Sequence, residues 1–154
     1  MNAADVQIRR AHPEDAAAIA RMNQQLAEET EGRRLPDAVV QAGVERGLSL
    51  APEVRYFVAE AAGRPIGQLM LTREWSDWRN GWMLWLQSVF VEADFRRQGV
   101  FRRLLEFGLA ACRETDQPVC VRLYVELENH AAAEVYRRLG FGCAGYRVME
   151  RPEN

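Results

Sequence analysis

Lysine is missing from this 154-residue chain, and all twenty of its basic residues are arginine. The one amine of lysine-like reactivity it carries is therefore its own N-terminus. Histidine is nearly absent too, with only His12 and His130, so a catalytic metal site has little to work with and none is expected. Cys112, Cys120 and Cys143 are odd in number, widely spaced and set among apolar neighbours. That pattern excludes a disulfide framework and a zinc site, and predicts buried free thiols. No apolar run is long enough to cross a bilayer, so no membrane partner is expected. The first residues show no basic stretch followed by an apolar one, which argues against a secretory leader and for the cytoplasm. A net charge of −2 argues against a nucleic-acid partner held by broad electrostatics.

What remains is ordinary in bulk and unusual in one place. Apolar content of 48% and charged content of 27% suit one globular domain spanning residues 1–154. The unusual place is Arg96-Arg97-Gln98-Gly99-Val100-Phe101-Arg102-Arg103. It follows a run over 85–91 that reads as a buried strand, and it opens a helix. Val100, Phe101, Leu104, Leu105, Leu109 and Cys112 fall near one face of that helix. The first N–H groups of a helix lack internal partners, and the helix dipole places partial positive charge there. A glycine at such a turn lets the main chain approach a phosphate. The alternative at this point is a solvated, arginine-rich first turn. Neither the dinucleotide-binding nor the nucleotide-triphosphate glycine pattern is present, so NAD and ATP are not the expected ligands.

The rest of the chain alternates short strands and helices. A strand is expected over 6–9, a helix over 13–29 begun by Pro13, and a shorter helix from Pro36 to about Gly47. Strands over 54–60 and 65–72 form a hairpin about Gly63-Arg64. Asn80-Gly81 predicts a second hairpin with a type I′ turn, and Trp75, Trp78, Trp82 and Trp85 surround it. Those four rings could line an acceptor pocket, form a homodimer surface or cover the core. The helix after the arginine turn runs to about Thr115, a strand follows over 119–125, and a last helix starts after Asn129. Gly140 closes it, and a final strand is expected over 142–149. The order β-α-α-β-β-β-α-β-α-β describes one α/β domain.

Arg96 to Phe101 resembles the acetyl-CoA signature of the GNAT superfamily of N-acetyltransferases: Gln or Arg, two residues, Gly, one residue, then Gly or Ala. Phe101 stands where the family usually has the small residue, and is expected to turn into the core with Leu104 and Leu105. Val89-Phe90-Val91-Glu92-Ala93-Asp94-Phe95 is similar to the lead-in of that signature, with Ala93 at the usual proline. The stretch from Leu123 through Asn129, Tyr136 and Gly140 to Phe141 resembles the family's second motif, at family spacing from the first.

The resemblance implies a mixed, mostly antiparallel central sheet, flanked by about four helices, with a parallel pair splayed at the acetyl-CoA site. It implies acetyl transfer from acetyl-CoA to a small-molecule or peptide amine by direct transfer. Pantetheine would lie against Val89, Phe90 and Val91, and the diphosphate would take N–H groups from about Arg97 through Gln98, Gly99, Val100 and Phe101 to Arg102, with Arg96 also in the cofactor site. Tyr136 matches the family's usual general acid, and Asn129 would meet the pantetheine arm. Read without the family, Tyr136 is equally an apolar-face tyrosine and Asn129 a helix cap. Glu74, Asp77, Gln87, Glu126 and Glu128 lie near enough in sequence to be weighed as base, and none is assigned; His130 is read as exposed. A non-catalytic acyl-CoA-binding module of the same fold is the rival reading.

Overall fold

The computed structural model describes residues 5–153, so the N-terminal amine lies outside the described residues. Two units cluster separately, one ending at Tyr124 and the other beginning at Val125. In the first, β1 (Gln7–Arg10), β2 (Val54–Ala61), β3 (Arg64–Ser76), β4 (Gly81–Val91) and β5 (Cys120–Leu123) form one sheet in chain order. The first four strands are antiparallel neighbours, and β5 runs parallel to β4. Parallel pairing needs a crossover, which α3 (Val100–Asp116) supplies. Helices α1 (Ala16–Glu31) and α2 (Asp37–Leu48) lie between β1 and β2 in the chain.

Strand alternation sorts the core into two layers. Tyr56 and Val58 pack with Ile19, Met22, Val44 and Phe90 beneath α1 and α2. Phe57, one residue out of phase, meets Phe107 of α3 edge to face at 6.0 Å. Helix α3 comes close because it has Gly108 there; a Cβ would stand 3.2 Å from Phe57 and 3.3 Å from Leu71. At its C-terminal end Asp116 is 7% exposed and accepts from two strand arginines, Arg55 and Arg73.

The second unit holds α4 (His130–Arg138). Its ends are built from the residues the sequence suggests. Asn129 Oδ1 accepts the N–H of Ala132 at 3.1 Å. At the other end Gly140 N–H donates to Arg137 O and Phe141 N–H to Tyr136 O, with Gly140 at φ +93. That pair of bonds is a Schellman motif, and the ring contact of Tyr136 with Phe141 (5.9 Å) is the apolar contact that accompanies it.

Three expectations need correcting. No strand forms over 142–149; alternation alone does not make a strand without a paired neighbour, and Gly145 at φ +80 interrupts the extended run. Asn80-Gly81 is not a two-residue I′ turn. Ser76 pairs with Gly81 across a four-residue loop, and Gly81 is already in β4, where a Cβ would sit 2.4 Å from Val119 Cγ1. The two-residue turn with both φ positive falls instead at Ala62 (+49) and Gly63 (+75). Finally, only Cys112 is a buried thiol; Cys120 is half-buried and Cys143 exposed, the latter because its segment joins no sheet.

Candidate active site

The end of β4 is open on one side. Pairing with β5 runs from Met83↔Cys120 to Leu86↔Leu123 and stops, while β4 continues to Val91. Among the described residues no strand pairs with 87–91 on that edge. With Ser88 O held by Gln68 and Val91 O by Arg96, the main chain about Val89 is the part left open to an extended ligand lying as an added strand. A bulge lies at the start of this stretch. Ser88 has φ +52, and the register against β3 shifts between Gln68 and Met70. Phe90 is buried beneath α1 and α2, whereas Val89 and Val91 are half-buried.

Beyond Val91 the chain makes a short turn of 3₁₀ helix, Ala93–Phe95, pinned by buried Phe95. It then reverses through two left-handed residues, Arg97 (φ +60) and Gly99 (φ +79). Right- and left-handed residues in succession point their N–H groups into one concavity, which is a nest for an anion. The first bond of the α3 ladder runs from Arg103 N–H to Gly99 O. The amides of Gly99, Val100 and Arg102 lie upstream of it, at the positive end of a 17-residue helix. Space above Gly99 is open: nothing lies within 4 Å of the position a Cβ would take. A diphosphate fits these features in charge, backbone and room.

The four arginines of the turn do different work. Arg103 Nη2 donates to Val6 O at 2.6 Å. Arg96 Nε donates to Val91 O at 2.7 Å, and its Nη2 holds Glu29 of α1. Arg97 and Arg102 are exposed at the surface of the turn, with Arg102 3.7 Å from Glu106. Gln98 Nε2 donates to Asp94 O at 2.8 Å and so closes the turn on itself. Val100 is buried, and Phe101 is half-buried rather than turned fully into the core. One helical residue of rotation carries its ring from the buried stripe to the edge of it.

In the second unit, Tyr136 is half-buried against Phe141, and burial holds its phenol above the ordinary value. Asn129 caps α4. Most of the side chains weighed as base are already engaged locally. Glu74 accepts from Trp85 Nε1 at 2.8 Å, Glu126 from Glu128 N–H at 2.9 Å, and Gln87 donates to Thr72 Oγ1 at 2.8 Å. Exposed His130 lies 3.6 Å from Glu128. The tryptophans divide: Trp78 is 92% exposed at the loop, Trp75 meets Trp82 edge to face at 5.1 Å, and Trp85 stacks on Tyr124 at 4.6 Å. Sequence reasoning missed Ser88, whose positive φ nothing in a Gln-Ser-Val run announces. It also missed Tyr56, which alternation marks only as core.

The Acetyltransferase (GNAT) family model matches residues 18–141. The chain belongs to the GNAT acetyltransferase family. Its matched span includes the open β4 edge, the anion turn and α4. A solved structure described as a possible acetyltransferase, from Clostridium difficile 630, is 38% identical with a TM-score of 0.87, covering 97% of this GNAT chain and 98% of that one. An uncharacterized N-acetyltransferase of Methanocaldococcus jannaschii is 31% identical over 87 residues, 56% of this chain and 38% of that protein. An N-alpha-acetyltransferase of Sulfurisphaera tokodaii is 31% identical over 96 residues, 58% of this chain and 57% of that protein. The chain thus aligns with well under two thirds of the length of either curated relative. As in the GNAT fold, antiparallel strands end in one parallel pair, and no described helix is long and apolar enough to cross a membrane.

Proposed function

We propose that residues 1–154 act as one acetyl-CoA-dependent N-acetyltransferase domain, moving acetyl directly to an amine. The observation that carries this reading is the adjoining of an unpaired β4 edge and a left-handed anion turn at the start of α3. Acetyl-CoA supplies an acetyl thioester: the amine nitrogen bonds to its carbonyl carbon as the C–S bond breaks, the nitrogen losing a proton and the sulfur gaining one. The main chain of Val89 to Val91 takes the pantetheine arm as an extra strand. The turn from Arg97 to Arg102 takes the diphosphate through its N–H groups, each anion contact contributing about 0.3–1 kcal/mol.

Tyr136 is assigned as the acid for the departing sulfur, on the strength of its place in the second family motif. A phenol keeps its proton at neutral pH, and burial raises its pKa further, as suits a donor to a thiolate. Asn129 is assigned to the pantetheine arm on the same ground. No side chain is assigned as base. The Sulfurisphaera relative's name makes a peptide N-terminus one acceptor type to include.

Free CoA thiol followed over a panel of amines tests the reading. Release should depend on both acetyl-CoA and amine, and Tyr136→Phe should keep cofactor binding while lowering kcat by about 100-fold or more. Unchanged turnover in that variant removes Tyr136 as acid. Cofactor binding with no release for any amine leaves a non-catalytic acyl-CoA module.

A further inference from the structure

Resting on the acetyltransferase reading, we propose that a hollow between α1, α2 and the β4 bulge seats the acceptor and selects amines bearing an uncharged apolar side group. The hollow is about 360 Å³ and is lined by Leu26, Leu35, Val40 and Val44, with Tyr56 and Ser88 among its polar members. A larger one, about 630 Å³, runs between α1 and α2 but includes no β4 residue. Only the smaller reaches the strand on which the thioester is proposed to lie, since Ser88 directly precedes Val89.

One buried polar atom behind this place, Gln68 Oε1, lacks a protein partner, and one hydroxyl, that of Tyr56, stands on its wall. Tyr56 is 7% exposed and packs in the core cluster beneath α1 and α2. The hydroxyl lies against α2, 3.0 Å from where a Cβ on Gly47 would be. Behind Ser88, fully buried Gln68 donates from Nε2 to Asn23 Oδ1 (2.7 Å) and Ser88 O (3.2 Å), leaving its own Oε1 unpartnered. Buried polar atoms are normally satisfied, so Gln68 Oε1 marks a polar spot behind the hollow, and the Tyr56 hydroxyl on the wall can both donate to and accept from a ligand group. Burial raises the Tyr56 pKa, so it stays a neutral donor and acceptor. Gln68 meanwhile fixes Asn23 and the Ser88 carbonyl, both of residues that line the hollow.

The lining also says what is not wanted. Its one carboxylate, Glu31, is exposed and already 3.4 Å from Arg33. A polycation would leave water for a wall with no uncommitted negative charge, whereas an aliphatic side group meets four aliphatic residues.

Glycines on α2 provide the test. Gly43 lines the hollow with open space at its Cβ and no positive φ, so Gly43→Leu fills the cavity without strain. Tyr56→Phe removes only the hydroxyl. Thiol release would be measured with saturating acetyl-CoA and with alaninamide, leucinamide or spermidine, alongside acetyl-CoA affinity. Wild type should prefer leucinamide to spermidine by about tenfold or more in kcat/KM. Gly43→Leu should lower leucinamide turnover by about tenfold or more while alaninamide and acetyl-CoA affinity change little. Tyr56→Phe should raise KM for both amino-acid amides. A preference for spermidine, or leucinamide turnover indifferent to both substitutions, overturns the proposal and leaves acetyl transfer standing. Turnover of no amine by protein that binds acetyl-CoA overturns both.

Discussion

Arg96 grips Glu29 with one nitrogen on both carboxylate oxygens, at 3.0 and 2.7 Å, across 67 residues of chain. The same guanidinium donates to Val91 O and lies 5.4 Å from the Phe90 ring. A residue that the family resemblance places in the cofactor site is thus also the tie between the anion turn, the end of β4 and α1. Its charge is partly neutralised before any phosphate arrives.

The charge state of that tie should show in cofactor affinity. Glu29→Gln removes a negative charge beside the turn and releases Arg96, so acetyl-CoA should bind about two- to fivefold tighter at low salt, equivalent to about 0.4–1 kcal/mol. The gain should fade toward 0.5 M salt, because both groups are substantially exposed. Folding stability should move by less than about 1 kcal/mol. Titration calorimetry at two salt concentrations checks the sign; weaker binding would mean that the tie shapes the nest rather than competing with it.

Gly99 separates backbone strain from ligand exclusion. At φ +79 an alanine is strained by about 1–2 kcal/mol, yet nothing lies within 4 Å of its Cβ. Gly63, at φ +75 with equally open space, is the matched control in a hairpin remote in sequence from the site. Both Gly→Ala variants should lose about the same stability in urea. Only Gly99→Ala should weaken acetyl-CoA binding, by about tenfold or more, since its methyl enters the anion seat. Equal affinities would empty that corner of its assigned role.

How much of this was legible beforehand varies with how local the cause is. The anion turn was readable because strand, glycine and helix start lie within a dozen residues, and the caps of α4 were readable for the same reason. Asn80-Gly81 misled because Val119, distant in sequence, packs where a side chain at Gly81 would stand; the glycine serves that approach rather than a turn. The last strand failed because pairing is not written in alternation. Ser88 and Tyr56 stayed hidden because one depends on register slipping against β3 and the other on which hydroxyl comes to line the hollow. Both are properties of assembled neighbours.

Asp116 should be the most damaging single polar substitution in the first unit. It accepts from Arg55, which is 3% exposed, and from Arg73 Nη1 at 3.2 Å, while Arg73 also reaches Glu53 and stacks 4.0 Å over Trp82. Both Nε atoms of these arginines are buried without partners, so the carboxylate carries most of their compensation. Asp116→Ala leaves buried positive charge unopposed and should destabilise by about 3–5 kcal/mol. Urea denaturation with unchanged slope checks it. A loss under 1 kcal/mol would mean that water reaches the arginines.

Asp15 gives the fold an acid limit that can be signed in advance. Burial works to raise its pKa, but Arg9 through both terminal nitrogens (2.7 and 3.0 Å) and His12 N–H (2.7 Å) outweigh it, leaving the carboxyl below the usual aspartate value. A group with a lowered folded pKa binds fewer protons folded than unfolded. Its stabilisation is therefore complete above the unfolded value, about 4, and disappears as pH falls through the lower folded one. Charge-assisted bonds of this kind contribute about 1.5–3 kcal/mol. Wild type should exceed Asp15→Asn by about that margin at pH 7 in urea, and the gap should narrow as pH falls from the unfolded value toward the lower folded one, below which the protonated aspartate resembles the amide. A gap that persists unchanged at pH 2.5 would show that shape at residue 15, not its charge, ties β1 to the start of α1.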